Sequence, residues 1–159
     1  MKILLDENVS AHLLDPLKWL LWGHSLEHVD KRWKGIKDKQ LYEKAARHGY
    51  EFLITVDSNQ LFDNDICKAI QRSGVHCAFV DVGKSSLDHL AAAAAALVQS
   101  SRAIVAALEE VDTQRIVLIR MASGRPYKIH DPRREPPSSM WPRKQYGNHW
   151  PPRRFQRDG

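Results

Sequence analysis

Carboxylates stand where apolar segments stop. Asp6 follows the run Lys2-Ile3-Leu4-Leu5, and Asp57 follows Phe52-Leu53-Ile54-Thr55-Val56. Asp38 opens a segment of helical spacing, and Asn59 offers an amide oxygen two residues past Asp57. Gathered carboxylates repel one another and raise each other's pKa unless a positive charge compensates. A hard divalent ion, Mg²⁺ or Mn²⁺, accepts oxygen ligands and keeps several waters. Such an ion can hold a phosphodiester, activate water and stabilise the leaving oxygen. The expected chemistry is therefore hydrolysis of a nucleic-acid backbone. Asp6, Asp38 and Asp57 are the expected metal ligands, Asn59 completes or tunes the catalytic set, and Glu7, Asn8 and Thr55 support it. Plainer roles compete: a helix cap for Asp38, strand-end turns for Asp6 and Asp57. Asp63, Asp65 and Asp81 read as caps or solvated acids, although Asp81 also falls near the end of a strand.

These groups meet only if the chain places them on one rim. Apolar runs predict strands over 2–5, 24–29, 51–56, 75–82 and 115–120, alternating with helices over about 10–21, 38–48, 63–73 and 86–110. Ser10 is expected to cap the first helix, with a bend or restart at Asp15-Pro16, and Asp38 to cap the second. Alternating strands and helices imply a parallel sheet covered on both faces, and ligand sites in such sheets lie beyond the carboxyl ends of the strands. Trp19 and Trp22 read as core or interface anchors.

After Ser123 the pattern dissolves. Arg125 to Gly159 holds seven prolines, nine basic and three acidic residues, a net +6 within a chain of net charge +5. The expected division is a domain over 1–123 and a basic tail over 124–159, flexible or ordered by a partner. In that tail Arg133, Arg134, Arg143, Lys144, Arg153 and Arg154, interleaved with Trp141, Tyr146, Trp150 and Phe155, suit phosphate attraction and base stacking.

Composition narrows the setting. Apolar residues make up 43% of the 159-residue chain, enough for a core, and no run of 18 apolar residues exists, so no membrane association is expected. Acidic residues arrive too early for a secretory signal, which favours a cytoplasmic location. Cys67 and Cys77 match no zinc spacing and read as reduced, partly buried thiols. His24 and His28, four apart on a strand, lie roughly 13 Å apart and make an improbable zinc pair.

The order of motifs resembles PIN-like domains found as predicted nucleases in bacterial toxin–antitoxin operons. The resemblance rests on Leu5-Asp6-Glu7-Asn8 after the first strand, Gly23-His24 after a leucine-rich helix, Gly35-Ile36-Lys37-Asp38, Ala45 to Gly49, and Leu53-Ile54-Thr55-Val56-Asp57. It covers residues 2 to about 62 closely. It implies a three-layer α/β/α sandwich with a mostly parallel sheet of about five strands, and a ribonuclease using Mg²⁺ or Mn²⁺. It also implies a toxin-like role with a cognate antitoxin, and homodimerisation is common among such proteins. It puts Asp6, Asp38 and Asp57 in the metal pocket. Asn59 stands where the family commonly has a second aspartate, which favours a one-metal site and leaves a catalytically weak or inactive RNA- or protein-binding module as the alternative. An acidic pair after strand one and an aspartate after strand three also resemble response-regulator receivers, a second alternative. Arg120-Met121 stands where those have Lys-Pro, and Asp81-Val82 where they have Thr or Ser.

Overall fold

The computed structural model describes residues 1–31, 33–83, 86–120 and 126–135. Strands β1 (Lys2–Leu5), β2 (Ser25–His28), β3 (Phe52–Thr55), β4 (His76–Val80), β5 (Ile116–Ile119) and β6 (Tyr127–His130) form one sheet in the order β2-β1-β3-β4-β5-β6. The first five run parallel, and β6 lies antiparallel on β5. Helices α1 (Leu14–Leu20), α2 (Asp38–Arg47), α3 (Asn64–Ser73) and α4 (Leu87–Glu109) cover it.

Strand periodicity sorts the core into two layers. Ile3, Leu5, Phe52, Ile54, Val117 and Ile119 pack under α1 and α4, against Leu17, Ala93, Leu97, Ile104 and Leu108. Leu4, Leu53, Cys77, Phe79 and Leu118 pack under α2 and α3, against Leu41, Tyr42, Ala45, Ala69 and Ile70. β3 and β5 are buried at every position, as strands covered on both faces must be. Each fully buried Leu, Ile or Phe contributes about 1.5–3 kcal/mol.

The helix ends follow local chemistry. Asp63 caps α3, its carboxylate accepting the N–H groups of Asp65 and Ile66 at 2.8 and 3.1 Å. Gly74 closes that helix with φ 69°, a left-handed conformation that a side chain would strain. Ser86 caps α4 through the His89 N–H.

Several local expectations are corrected. Ser10 makes no side-chain cap; a 3-10 turn over Ala11–Leu13 intervenes before α1. Pro16 is the third residue of α1 rather than its first, and it fits there because N–H groups of the first turn have no helical acceptor. Lys37 is the cap residue of α2, and Asp38 is the first residue inside the helix. Of the two roles read for Trp19 and Trp22, core or interface anchor, the core role is overturned: they are 78% and 85% exposed. The sheet also runs past the expected boundary at residue 123, because β6 adds a sixth strand from the segment read as tail. α4 is long and apolar enough, by length and composition, to cross a membrane. Its inner face is packed on the sheet, and core helices meet the same criterion.

Candidate metal centre

The parallel strand order reverses at β1, which has β2 on one side and β3 on the other. In open parallel sheets this is where a crevice opens beyond the strand ends. Asp6 follows β1 and Asp57 follows β3, so the two acids flank the reversal. Their register is fixed by the ladder: Leu5 pairs with Ile54, and the Asp6 N–H donates to the Ile54 carbonyl at 2.9 Å. The period of two then places Asp6 on the face of Leu4 and Thr55 on the face of Leu53, the side covered by α2. Asp38 begins α2.

Asp6 is almost wholly buried, at 2% exposure. Its Oδ1 accepts the Glu7 N–H at 2.8 Å, and its Oδ2 accepts the Thr55 hydroxyl at 2.7 Å and the Asn8 amide at 3.4 Å. Burial raises the Asp6 pKa; the three hydrogen bonds oppose that rise without cancelling it. Glu7 is exposed and reaches across to the loop before α2, where its Oε2 accepts the Gly35 N–H at 3.0 Å. Asp57 Oδ1 accepts the Asn59 N–H at 3.0 Å, opening a 3-10 turn over Ser58–Phe62, and Asn59 itself is exposed.

Asp38 carries the electrostatic signature of the site. Its side chain makes no hydrogen bond to a described residue, so capping does not occupy it. Its pKa is raised, first by burial, then by the negative charges of Asp57, Asp6, Glu7 and Asp63. The charges that act on it most strongly are all negative. The three expected ligands thus share one rim and one field, with Glu7 beside them.

The donor set is oxygen throughout, which matches a hard cation rather than zinc or copper. Among the described residues no three acidic, imidazole or thiol side chains converge closely enough to hold an ion together. What admits a hard ion is the oxygen chemistry of the donors and not a converged cluster: Mg²⁺ is commonly bound through one or two carboxylates and otherwise by water. One or two of Asp6, Asp38 and Asp57 would hold it.

Below the rim lies a polar pair that sequence reading missed. The Tyr42 hydroxyl donates to Gln60 Oε1 at 2.5 Å, and both residues are buried. Tyr42 reads from sequence as an inner-face aromatic. Gln60 precedes Leu61 and Phe62 in a 3-10 turn, where neither strand nor helix periodicity signals which way a side chain points.

Other expected groups lie elsewhere. Asp81 accepts the Gly83 N–H at 2.8 Å and stands 3.9 Å from Arg120, so it is engaged at the end of β4. Asp65 lies 3.8 Å from Lys68 on the α3 surface. Because β6 runs back along β5, Arg133 and Arg134 follow at the sheet end opposite Asp6 and Asp57. Arg133 bonds Asp131 and Thr113 there, and Arg134 is exposed. Arg143, Lys144, Arg153 and Arg154 lie outside the described residues. His24 sits beside the Met1 amine at one end of β2, and His28 at the other end, 2.8 Å from the Val9 carbonyl. An apolar cleft of about 520 Å³ opens on the α1/α4 side of the same sheet end, between Leu13, Val56, Val82 and Leu90, with Glu7 and Asn8 on its edge.

No family model, curated protein or solved structure matches this chain.

Proposed function

We propose that this chain is a PIN-like ribonuclease that uses Mg²⁺ or Mn²⁺, acting as the toxin-like partner of a cognate antitoxin. The observation that carries the reading is the placement of the acids: Asp6 follows β1 and Asp57 follows β3 at the strand reversal, and Asp38 opens α2, close enough that, after burial, their charges raise its pKa. Like charges brought together at a strand-end crevice call for a cation. A bound divalent ion supplies Lewis acidity to a phosphodiester and makes water a better nucleophile. The chain's own part is to hold Asp6 in one orientation through Thr55, Asn8 and the Glu7 N–H, and to fix the loop before Asp38 through Glu7 and Gly35. The toxin-like assignment and the antitoxin rest on the motif resemblance alone.

The test is RNA cleavage with Mn²⁺. Asp6→Asn and Asp57→Asn should each lose at least about a hundredfold in rate, more than outer-shell substitutions at metal sites cost. If both variants cut as well as the parent, these residues are not the site.

One observation favours a second reading. The parallel strands have the order 2-1-3-4-5 of flavodoxin-like sheets, in which receiver domains are also built. Under that reading Asp57 would accept a phosphoryl group. Incubation with a small phosphoryl donor, followed by a search for acid-labile phosphate on Asp57, separates the two.

A further inference from the structure

Two helical turns converge beneath the acidic rim. Tyr42 lies four residues after Asp38 in α2, on the same helix face and one turn below it. Gln60 lies three residues after Asp57, one turn along the 3-10 segment that Asp57 caps. The Tyr42 hydroxyl donates to Gln60 Oε1, so the position below one carboxylate is bonded to the position below the other. Burial keeps the Tyr42 phenol protonated well above the usual range, and Asp6 and Asp38 act in the same direction. It therefore stays a donor. The other side of the turn is held as well: the Cys67 thiol of α3 lies 3.7 Å from the Gln60 carbonyl and 3.4 Å from that of Leu61.

Stability alone does not explain Gln60. The residue is 1% exposed, yet its Nε2 has no hydrogen-bond partner among the described residues. A buried amide with unmet donors is disfavoured, and an apolar pair of similar shape in place of Gln60 and Tyr42 would fill the space without that penalty. What the amide adds is direction, because its oxygen fixes where the turn sits relative to α2.

We propose that Tyr42 and Gln60 form a positioning strut that sets the separation of Asp38 and Asp57, and thereby the affinity of the site for a divalent cation. The strut rests on the metal-site reading above. Neither residue touches the substrate or the ion; both act through the carboxylates one turn away.

The experiment measures Mn²⁺ binding by electron paramagnetic resonance on the full chain, with Tyr42→Phe, Gln60→Met and the double variant. Ile70→Val, a conservative loss in the same core layer, serves as the control. Each strut variant should raise the Mn²⁺ dissociation constant by about tenfold, in the range seen for outer-shell partners of metal ligands. The double variant should be no worse than the weaker single, because both remove one interaction. The apparent Mn²⁺ requirement for RNA cleavage should rise in step, while the rate at saturating Mn²⁺ recovers. Folded strut variants that bind Mn²⁺ like the parent overturn the strut, and so does an equal loss in Ile70→Val. A parent that binds no Mn²⁺ overturns the metal reading and the strut with it, a result distinct from the other two.

Discussion

The Thr55 hydroxyl reaches from the end of β3 to the carboxylate of Asp6, 2.7 Å from Oδ2, while its own oxygen accepts the Asp57 N–H at 3.1 Å. One buried side chain therefore joins the two acidic positions that flank the strand reversal. It sets the angle of Asp6 and the direction in which the chain leaves β3.

Thr55→Val keeps the shape and removes that link. A buried carboxylate oxygen then loses its strongest partner, which should destabilise the fold by about 1–3 kcal/mol in urea titrations. Thr55→Ser should restore most of the loss, since the hydroxyl returns and only a methyl group is missing. Equal stability of the Val and Ser variants would mean that packing, not the hydroxyl, matters at this position.

Asp6 and Asp38 both have raised pKa values in the folded chain. A raised carboxyl binds its proton more tightly in the native state than in the unfolded one, so its favourable contribution is present at low pH. It is lost as pH rises from the ordinary value of 3.8 through the raised one. At neutral pH both groups oppose folding. In chelator, Asp38→Asn should therefore raise Tm at pH 7 and give no gain below pH 3.8. Added Mn²⁺ should raise the Tm of the parent more than that of the variant, by mass action on the native state. A variant less stable than the parent at pH 7 without metal would contradict the raised pKa of Asp38.

Glu7 ties the end of β1 to the loop before α2 through the Gly35 N–H. Its side chain is exposed, so Glu7→Ala should change stability by no more than about 0.5 kcal/mol. Hydrogen exchange over 33–37 should nevertheless quicken, and Mn²⁺-dependent cleavage should fall. Unchanged exchange in that loop would show that the bond does not hold it.

The five basic residues after Glu135 bear on nucleic-acid affinity. Removing 136–159 should flatten the dependence of log K on log salt, by about 0.7 for each phosphate of single-stranded RNA that is no longer neutralised. An identical slope in the truncated chain would dismiss the segment as an RNA-binding element.

The strands and helices of the parallel region were legible because their signals are local: apolar runs that stop at Asp6 and Asp57, Asp63 before α3, Gly74 after it. Asp6, Asp38 and Asp57 could be gathered on one rim from the topological rule alone. β6 was not legible. Tyr127-Lys128-Ile129-His130 is four residues long and carries a single aliphatic, and only its pairing with β5 makes it a strand. The cap of α2 was misplaced by one residue because Asp is favoured both at the cap and just inside it, where its charge meets the helix dipole. The Tyr42–Gln60 bond was hidden for a different reason: it joins two elements across the core, and nothing in the spacing of either residue points to the other.

Cys67 and Cys77 are both buried, and burial pushes the Cys77 thiol far above its ordinary range. Only a thiolate attacks an alkylating or disulfide reagent at a useful rate. Cys77, in the middle of the sheet, is thus shielded twice, by access and by protonation, and Cys67, in α3, is shielded by burial. Alkylation then works as a stopwatch: Cys77 is modified only when β4 opens, and Cys67 when α3 lifts. The order in which the two acquire label would record which layer of this molecule lets go first.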